Sequence, residues 1–205
     1  MIQNCITAVI GGKGQGKSTW LMEQFLKSER ALAFDSRAEY HNCLLVSQRI
    51  QLVEYMEDRA KFRVAFRPRA GKEAAKEDLE LICRIAFGKG KLDLYLEEID
   101  YFCTSASADP ALDRVIRYGR DPQINLLYST RRFQEISKGL TSQTDEYVLF
   151  RFAEPADLEN CTKRFGKETA ERVASLQRFE HIKISVADLP YIGAQAQAGR
   201  METEK

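Results

Sequence analysis

The chain has 205 residues, enough for one α/β domain with a substantial core. Charged residues make up 30% of it, yet 31 basic side chains stand against 30 acidic ones, so no global field draws the chain to a polyanion or a membrane surface. Any nucleic-acid contact must then be local, or built by assembling several copies, and no apolar run approaches the ~18 residues of a membrane span.

The N-terminus begins a strand and carries no signal-peptide pattern. Cys5, Cys43, Cys83, Cys103 and Cys161 are widely spaced, odd in number and without a C-x-x-C pair. That usage predicts reduced core thiols in a soluble intracellular protein, with neither a disulfide frame nor a zinc site.

In chain order, the apolar run Cys5 to Ile10 predicts a strand, and Trp20, Leu21, Phe25 and Leu26 carry a helical pattern that ends near Arg30. Between them lies Gly11 to Thr19, Gly-Gly-Lys-Gly-Gln-Gly-Lys-Ser-Thr, which fills G-x-x-x-x-G-K-[ST] at every fixed position. Strand, glycine-rich loop and helix in that order are the context the phosphate-binding loop requires. Its glycines let successive N–H groups converge on one anion, and the helix start adds unpaired amides and the positive end of a dipole. The residues expected around the nucleotide are Gly12, Lys13, Gly14, Gln15, Gly16, Lys17, Ser18 and Thr19. Lys17 is expected to reach the β- and γ-phosphates of ATP, and the Ser18 hydroxyl to ligate Mg²⁺.

Ala31 to Asp35 reads as a second buried strand, closed by an acid and the polar turn Ser36-Arg37. Asn42 to Asp58 holds a short apolar run, Leu44-Leu45-Val46, then a helical pattern at Ile50, Val53, Tyr55 and Met56 headed by Ser47. Phe62, Val64 and Phe66 alternate as a third strand, broken by the basic loop Arg67-Pro68-Arg69, a candidate local DNA contact. Lys72 to Phe87 is an amphipathic helix stopped by Gly88.

Leu92 to Glu98 is a mostly apolar strand ending in two acids, the Walker B arrangement. Strand geometry sends Glu97 and Glu98 to opposite sides, so Glu97 can approach the Mg²⁺ shell while Glu98 prepares the attacking water. Asp93 interrupts the strand and Asp100 is a further, secondary acid. Asp109-Pro110 opens a helix with an N-cap and a first-turn proline, and Arg114, Arg117 and Arg120 recur along one of its sides. Ile124 to Thr130 is another buried strand running into Arg131-Arg132, so Ser129, Thr130 and Arg131 are expected at the γ-phosphate. A helix-like stretch from Phe133 to Leu140 precedes a strand from Glu146 to Phe152. Helices over Pro155 to Phe165 and Lys167 to Leu176 follow, and Phe179, Ile182, Ile184 and Val186 suggest a last strand in a hairpin or at the sheet edge. The reading is one ATPase domain over 1–192 and a flexible polar tail over 193–205.

Together these pieces predict an α/β P-loop NTPase, a mostly parallel twisted sheet flanked by helices on both faces. They resemble the FtsK/HerA group of P-loop ATPases, most closely the small genome-packaging ATPases of membrane-containing icosahedral viruses. Ala33 to Tyr40 resembles the HerA-type second strand with its D-x-x-x-E-Y ending, and Leu126 to Phe133 resembles the group's L-x-x-S-T-Q-R-P segment. The resemblance implies a RecA/FtsK-like core, ATP and Mg²⁺ as ligands, and a ring of identical subunits, commonly a hexamer. It further implies DNA as a partner, a docking site on a capsid or membrane-vertex protein, and residence in the host cytoplasm or on the virion. Arg120, or Arg117, would then act as a finger in trans, beside Lys17, Glu98 and Arg131. Three departures stand out: Glu97 replaces the usual metal-side Asp, Arg131 replaces the sensor Gln, and Phe133 replaces the Pro after Arg132. An arginine donates to a γ-phosphate but cannot accept a hydrogen bond from water. Rival readings are a small-molecule or nucleoside kinase and a nucleotide-gated, Zot-like assembly protein, the latter usually carrying a membrane span.

Overall fold

A computed structural model describes residues 4–57, 59–102 and 109–189. The expected boundary after residue 192, the polar tail and Cys103 lie outside these residues. Eight strands form one sheet: β1 (Ile6–Ile10), β2 (Arg30–Phe34), β3 (Leu44–Val46), β4 (Phe62–Phe66), β5 (Leu92–Leu96), β6 (Ile124–Thr130), β7 (Glu146–Phe150) and β8 (His181–Ser185). The strand order is β3-β4-β2-β5-β6-β1-β7-β8. All pairs are parallel except β7 with β8, which is antiparallel; β8 is the expected last strand at the sheet edge, and helices intervene between Pro155 and Ser175, so it is not the second arm of a hairpin.

Helices α1 (Lys17–Lys27), α2 (Arg49–Met56), α3 (Lys72–Lys89), α4 (Pro110–Tyr118), α5 (Lys138–Ser142), α6 (Pro155–Phe165) and α7 (Lys167–Ser175) cover the sheet. β1 is buried throughout and its side chains alternate between two cores. Ile6, Ala8 and Ile10 join the larger core with Leu79, Ile82, Leu112 and Cys161, and Val9 joins Leu21 and Phe25 of α1 in the smaller one. Burial on both faces is why the central strands read as continuous apolar runs.

Several boundaries differ from the sequence reading, each for a local reason. Helix α1 stops at Lys27 because Ser28 turns to an extended backbone, φ −70 and ψ 139. The run Leu44–Val46 is a true strand, added in parallel to β4 at the sheet edge. Helix α2 is capped by Gln48, one residue after Ser47. Helix α3 continues through Gly88 and ends at Gly90. Asp93 does not break β5, since its carboxylate accepts a 2.7 Å hydrogen bond from Asn125 on β6. The stretch after Arg132 divides into a short 3-10 turn, Phe133–Glu135, and α5. β7 ends at Phe150, two residues short of Phe152, and α7 at Ser175, one short of Leu176. Phe179 precedes β8, and Val186 lies beyond it in a 3-10 turn. Cys83 and Cys161 are buried as expected, but Cys5 and Cys43 are only half-buried. No helix among the described residues is long and apolar enough to cross a membrane.

Candidate functional site: a phosphate-binding cleft

The parallel order places the carboxyl ends of β1, β2, β5 and β6 at one edge of the sheet, where ligands of open α/β sheets bind. A cleft of about 350 Å³ opens there, lined by the loop after β1 and by Glu97, Glu98, Ser129 and Arg131.

Gly16 caps α1 in a left-handed conformation, φ 114, that a side chain would strain, and a Cβ there would meet the Phe179 ring at 2.7 Å. Gly11 is equally constrained, because a Cβ would lie 2.5 Å from Phe150 Cβ on β7. Lys17 Nζ donates to the carbonyls of Gly11 at 2.7 Å and Gly12 at 3.0 Å, closing the loop on itself. Burial, with Arg131 nearby, pulls the Lys17 ammonium below its ordinary range. A bound polyphosphate would restore the charge balance the ammonium lacks there.

The two acids divide their tasks. Glu97 is 3% exposed, and its Oε2 accepts a 2.6 Å hydrogen bond from Ser18 Oγ. Burial pushes its carboxyl up to about 7 against the Ser18 bond that favours the charged form, and the neighbouring Glu39 and Asp35 raise it further. Glu98 sits in a left-handed conformation, φ 51, immediately after β5. This backbone turn, and not continued strand pleating, separates the two side chains, and both face the same cleft. Glu98 Oε1 accepts from Arg37 Nη1 at 2.7 Å and from Arg131 Nη2, while its N–H donates to Ser129 Oγ at 3.1 Å. Burial alone would raise the Glu98 carboxyl, but the Arg37 and Arg131 guanidiniums outweigh it and hold it below the usual range.

The expected magnesium fits these donors. A serine hydroxyl and a carboxylate 2.6 Å apart are hard oxygen ligands, and no group of three or more His, Cys, Asp or Glu gathers among the described residues. Mg²⁺ is held in that sparse way, by one or two protein oxygens, waters and substrate phosphates. The buried Tyr40 hydroxyl and Asp35 lie close enough to Glu97 to affect its charge, and the Arg67 guanidinium lies 3.7 Å from Asp35 Oδ2. When bound, the ion held by Ser18 and Glu97 would offset negative charge on the phosphates.

Strand order explains the rest of the constellation. Because β6 separates β1 from β5, its end delivers Ser129 and Arg131 between the phosphate loop and the acids. This insertion, with the loop after β1 and the acids after β5, decides the fold. It is a P-loop NTPase fold. The DNA-packaging ATPase B204 from Sulfolobus turreted icosahedral virus superposes on this fold with a TM-score of 0.71 at 20% identity, over 93% of this chain and 96% of that one. The genome-packaging NTPase B204 from Sulfolobus turreted icosahedral virus 2, in complex with ATP-gammaS, gives a TM-score of 0.71 at 21% identity over 91% and 94%. Its AMP complex gives 0.70 at 20% identity over 91% and 95%. No family model and no curated protein matches the chain.

Within this P-loop fold the other expected residues separate. Gly14, Gly16, Lys17, Ser18 and Thr19 line the cleft with both acids, Lys13 and Arg131 line both it and an adjoining cavity, and Gly12 and Gln15 line that cavity alone. Thr130 is turned inward and fully buried, its hydroxyl donating to the Arg132 carbonyl at 3.2 Å. Arg120 lies before the amino end of β6, the sheet edge opposite the phosphate loop, so it cannot reach the nucleotide of its own chain. Arg114 stacks on Phe87 at 4.3 Å and Arg117 pairs with Asp113 at 2.7 Å. The basic loop after β4 is not a free cationic surface: Arg69 Nη2 lies 2.8 Å from Glu77 and 3.0 Å from the buried Asp78, and Arg67 Nε lies 3.7 Å from Asp35.

Two groups escaped the sequence reading. Local pattern marks Arg37 as part of a polar turn, whereas the pairing of β2 with β5 places that turn beside Glu98. Arg178 has no distinguishing pattern in the sequence, and the alternation through Phe179 suggests a strand; both line the cleft.

Proposed function

We propose that this chain is a Mg²⁺-dependent ATPase that drives DNA into a viral capsid, working as a ring of identical subunits. The observation that carries the reading is the 2.6 Å contact between Ser18 on the phosphate loop and Glu97 after β5, with Glu98 and Arg131 beside it. In the proposed reaction the loop amides and Lys17 hold the triphosphate, Ser18 and Glu97 provide the metal ligands, and Glu98 takes the proton of the attacking water. Arg131, freed from Glu98, turns to the γ-phosphate and absorbs developing charge. Arg120, stranded on the far edge of its own sheet, serves a neighbouring subunit's nucleotide in trans, the effect of such a finger being on the order of 10³–10⁵ in rate. Likeness in fold to viral packaging NTPases supports DNA and a capsid vertex as partners. A near-neutral monomer can still hold DNA through repeated local contacts around a ring.

The test is phosphate release without any acceptor, measured against protein concentration, with and without duplex DNA, for wild type and Arg120→Ala. The expected result is a cooperative rise with concentration, stimulated by DNA and lost in the variant. A rate per subunit independent of concentration and unchanged by Arg120→Ala would exclude the trans finger, and strict dependence on an added acceptor would make the chain a kinase.

A further inference from the structure

The turn between α7 and β8 is tied directly to the phosphate loop. The Phe179 N–H donates to the Gln15 carbonyl at 2.9 Å, and Arg178 Nε donates to the Gly14 carbonyl at 3.1 Å. Two features of this turn bear on what the cleft can bind. Phe179 is held at φ 71, a left-handed conformation that a bulky side chain resists and that gathers at ligand clamps. Phe179 is also 52% exposed, at the cleft it lines. The Arg178 guanidinium lies 4.7 Å from the centre of the Phe179 ring. A planar cation and an aromatic ring therefore stand together at the rim of the cleft that Lys17, Ser18 and Thr19 floor.

The strand order locates this pair relative to the reacting end. Glu98 follows β5 and Arg131 follows β6, on one side of β1, whereas Arg178 and Phe179 precede β8, on the other. A triphosphate laid across the loop with its outermost phosphate toward Glu98 sends its nucleoside end toward Phe179. We infer that Arg178 and Phe179 are the base platform of this site, on which a purine ring stacks. The inference rests on the reading that the loop grips a nucleoside triphosphate. Stacking on an aromatic face and on a guanidinium plane needs no hydrogen-bond code, and it favours the larger purine ring over a pyrimidine. The phosphates would then supply affinity common to all triphosphates, and the platform would supply what a base adds.

Calorimetry on the full chain separates the two, using ATP and inorganic tripolyphosphate, each with Mg²⁺. Phe179→Gly suits the left-handed backbone and so keeps the turn while removing the ring. It is expected to weaken ATP binding by about 5- to 100-fold and to leave tripolyphosphate within about twofold of wild type. Phe179→Trp, with a broader ring, is expected to bind ATP at least as tightly as wild type. A Phe179→Gly protein that keeps wild-type affinity for ATP, or loses both ligands equally, overturns the platform and leaves the triphosphate cradle standing. Wild type that binds neither ligand overturns the cradle, and the platform with it.

Discussion

Glu97 carries the most instructive electrostatics at the level of single residues. Its carboxyl, near 4.5 in ordinary surroundings, is pushed up to about 7 by burial. Between those values the unfolded chain loses its proton before the folded one does, so folding stability falls as pH rises through that window and the penalty is full above it. Glu97→Gln removes the charge, so its Tm is expected to match wild type near pH 4.5 and to exceed it at pH 8, by a stability difference on the order of 1–3 kcal/mol. Thermal melts across that range test this, and saturating Mg²⁺ and ATP should erase the difference in wild type, because a bound cation favours the ionised carboxylate. A wild-type Tm that climbs steadily from pH 5 to 8 without ligand would contradict it. The phosphate loop and both acids were legible in the sequence because their chemistry demands fixed residue types at short spacing. Arg37 was not, since its role depends on β2 lying beside β5, a long-range pairing that no local pattern encodes.

Caps and turns govern the elements. Asp109 was readable as the N-cap of α4, and its Oδ1 accepts from the Ala111 N–H at 3.0 Å. Asp109→Ala is expected to cost about 1 kcal/mol, which lowers Tm by roughly 2–4 °C in a chain of this size, without changing ATP affinity. Gly16→Ala is a different kind of change. It strains a backbone at φ 114 and drives a methyl into Phe179, so melts and nucleotide titrations are both expected to deteriorate. Periodicity located most helices and strands, yet it placed Phe179 in a strand because an aromatic followed by alternating Ile182 and Ile184 has a period of about two. The left-handed turn at Phe179 removes it from that register. The same cause misdirected the reading of Glu98, where a positive φ after β5, and not the pleat, sets the direction of the side chain.

For the whole molecule, apolar runs separated by helical stretches were enough to anticipate a doubly covered parallel sheet with an antiparallel edge. The insertion of β6 between β1 and β5 was not visible in any one segment, and it is what brings Arg131 to Glu98. The ion pairs of Arg67 and Arg69 with Asp35, Glu77 and Asp78 were likewise hidden, because burial of Asp78 is a tertiary property. If subunits share nucleotides through Arg120, sedimentation should show Mg²⁺ and ATP shifting the protein toward a closed oligomer, and Arg120→Ala should leave binding within about twofold while slowing turnover on the order of 10³-fold. The central claim, that Glu98 prepares water for attack on a triphosphate held by the loop, is tested most directly by single-turnover phosphate release from ATP in wild type and Glu98→Gln, with ATP affinity measured on the same samples. The account predicts unimpaired binding and release slowed on the order of 10²–10⁴-fold in the variant; equal rates of release from the two proteins would contradict it.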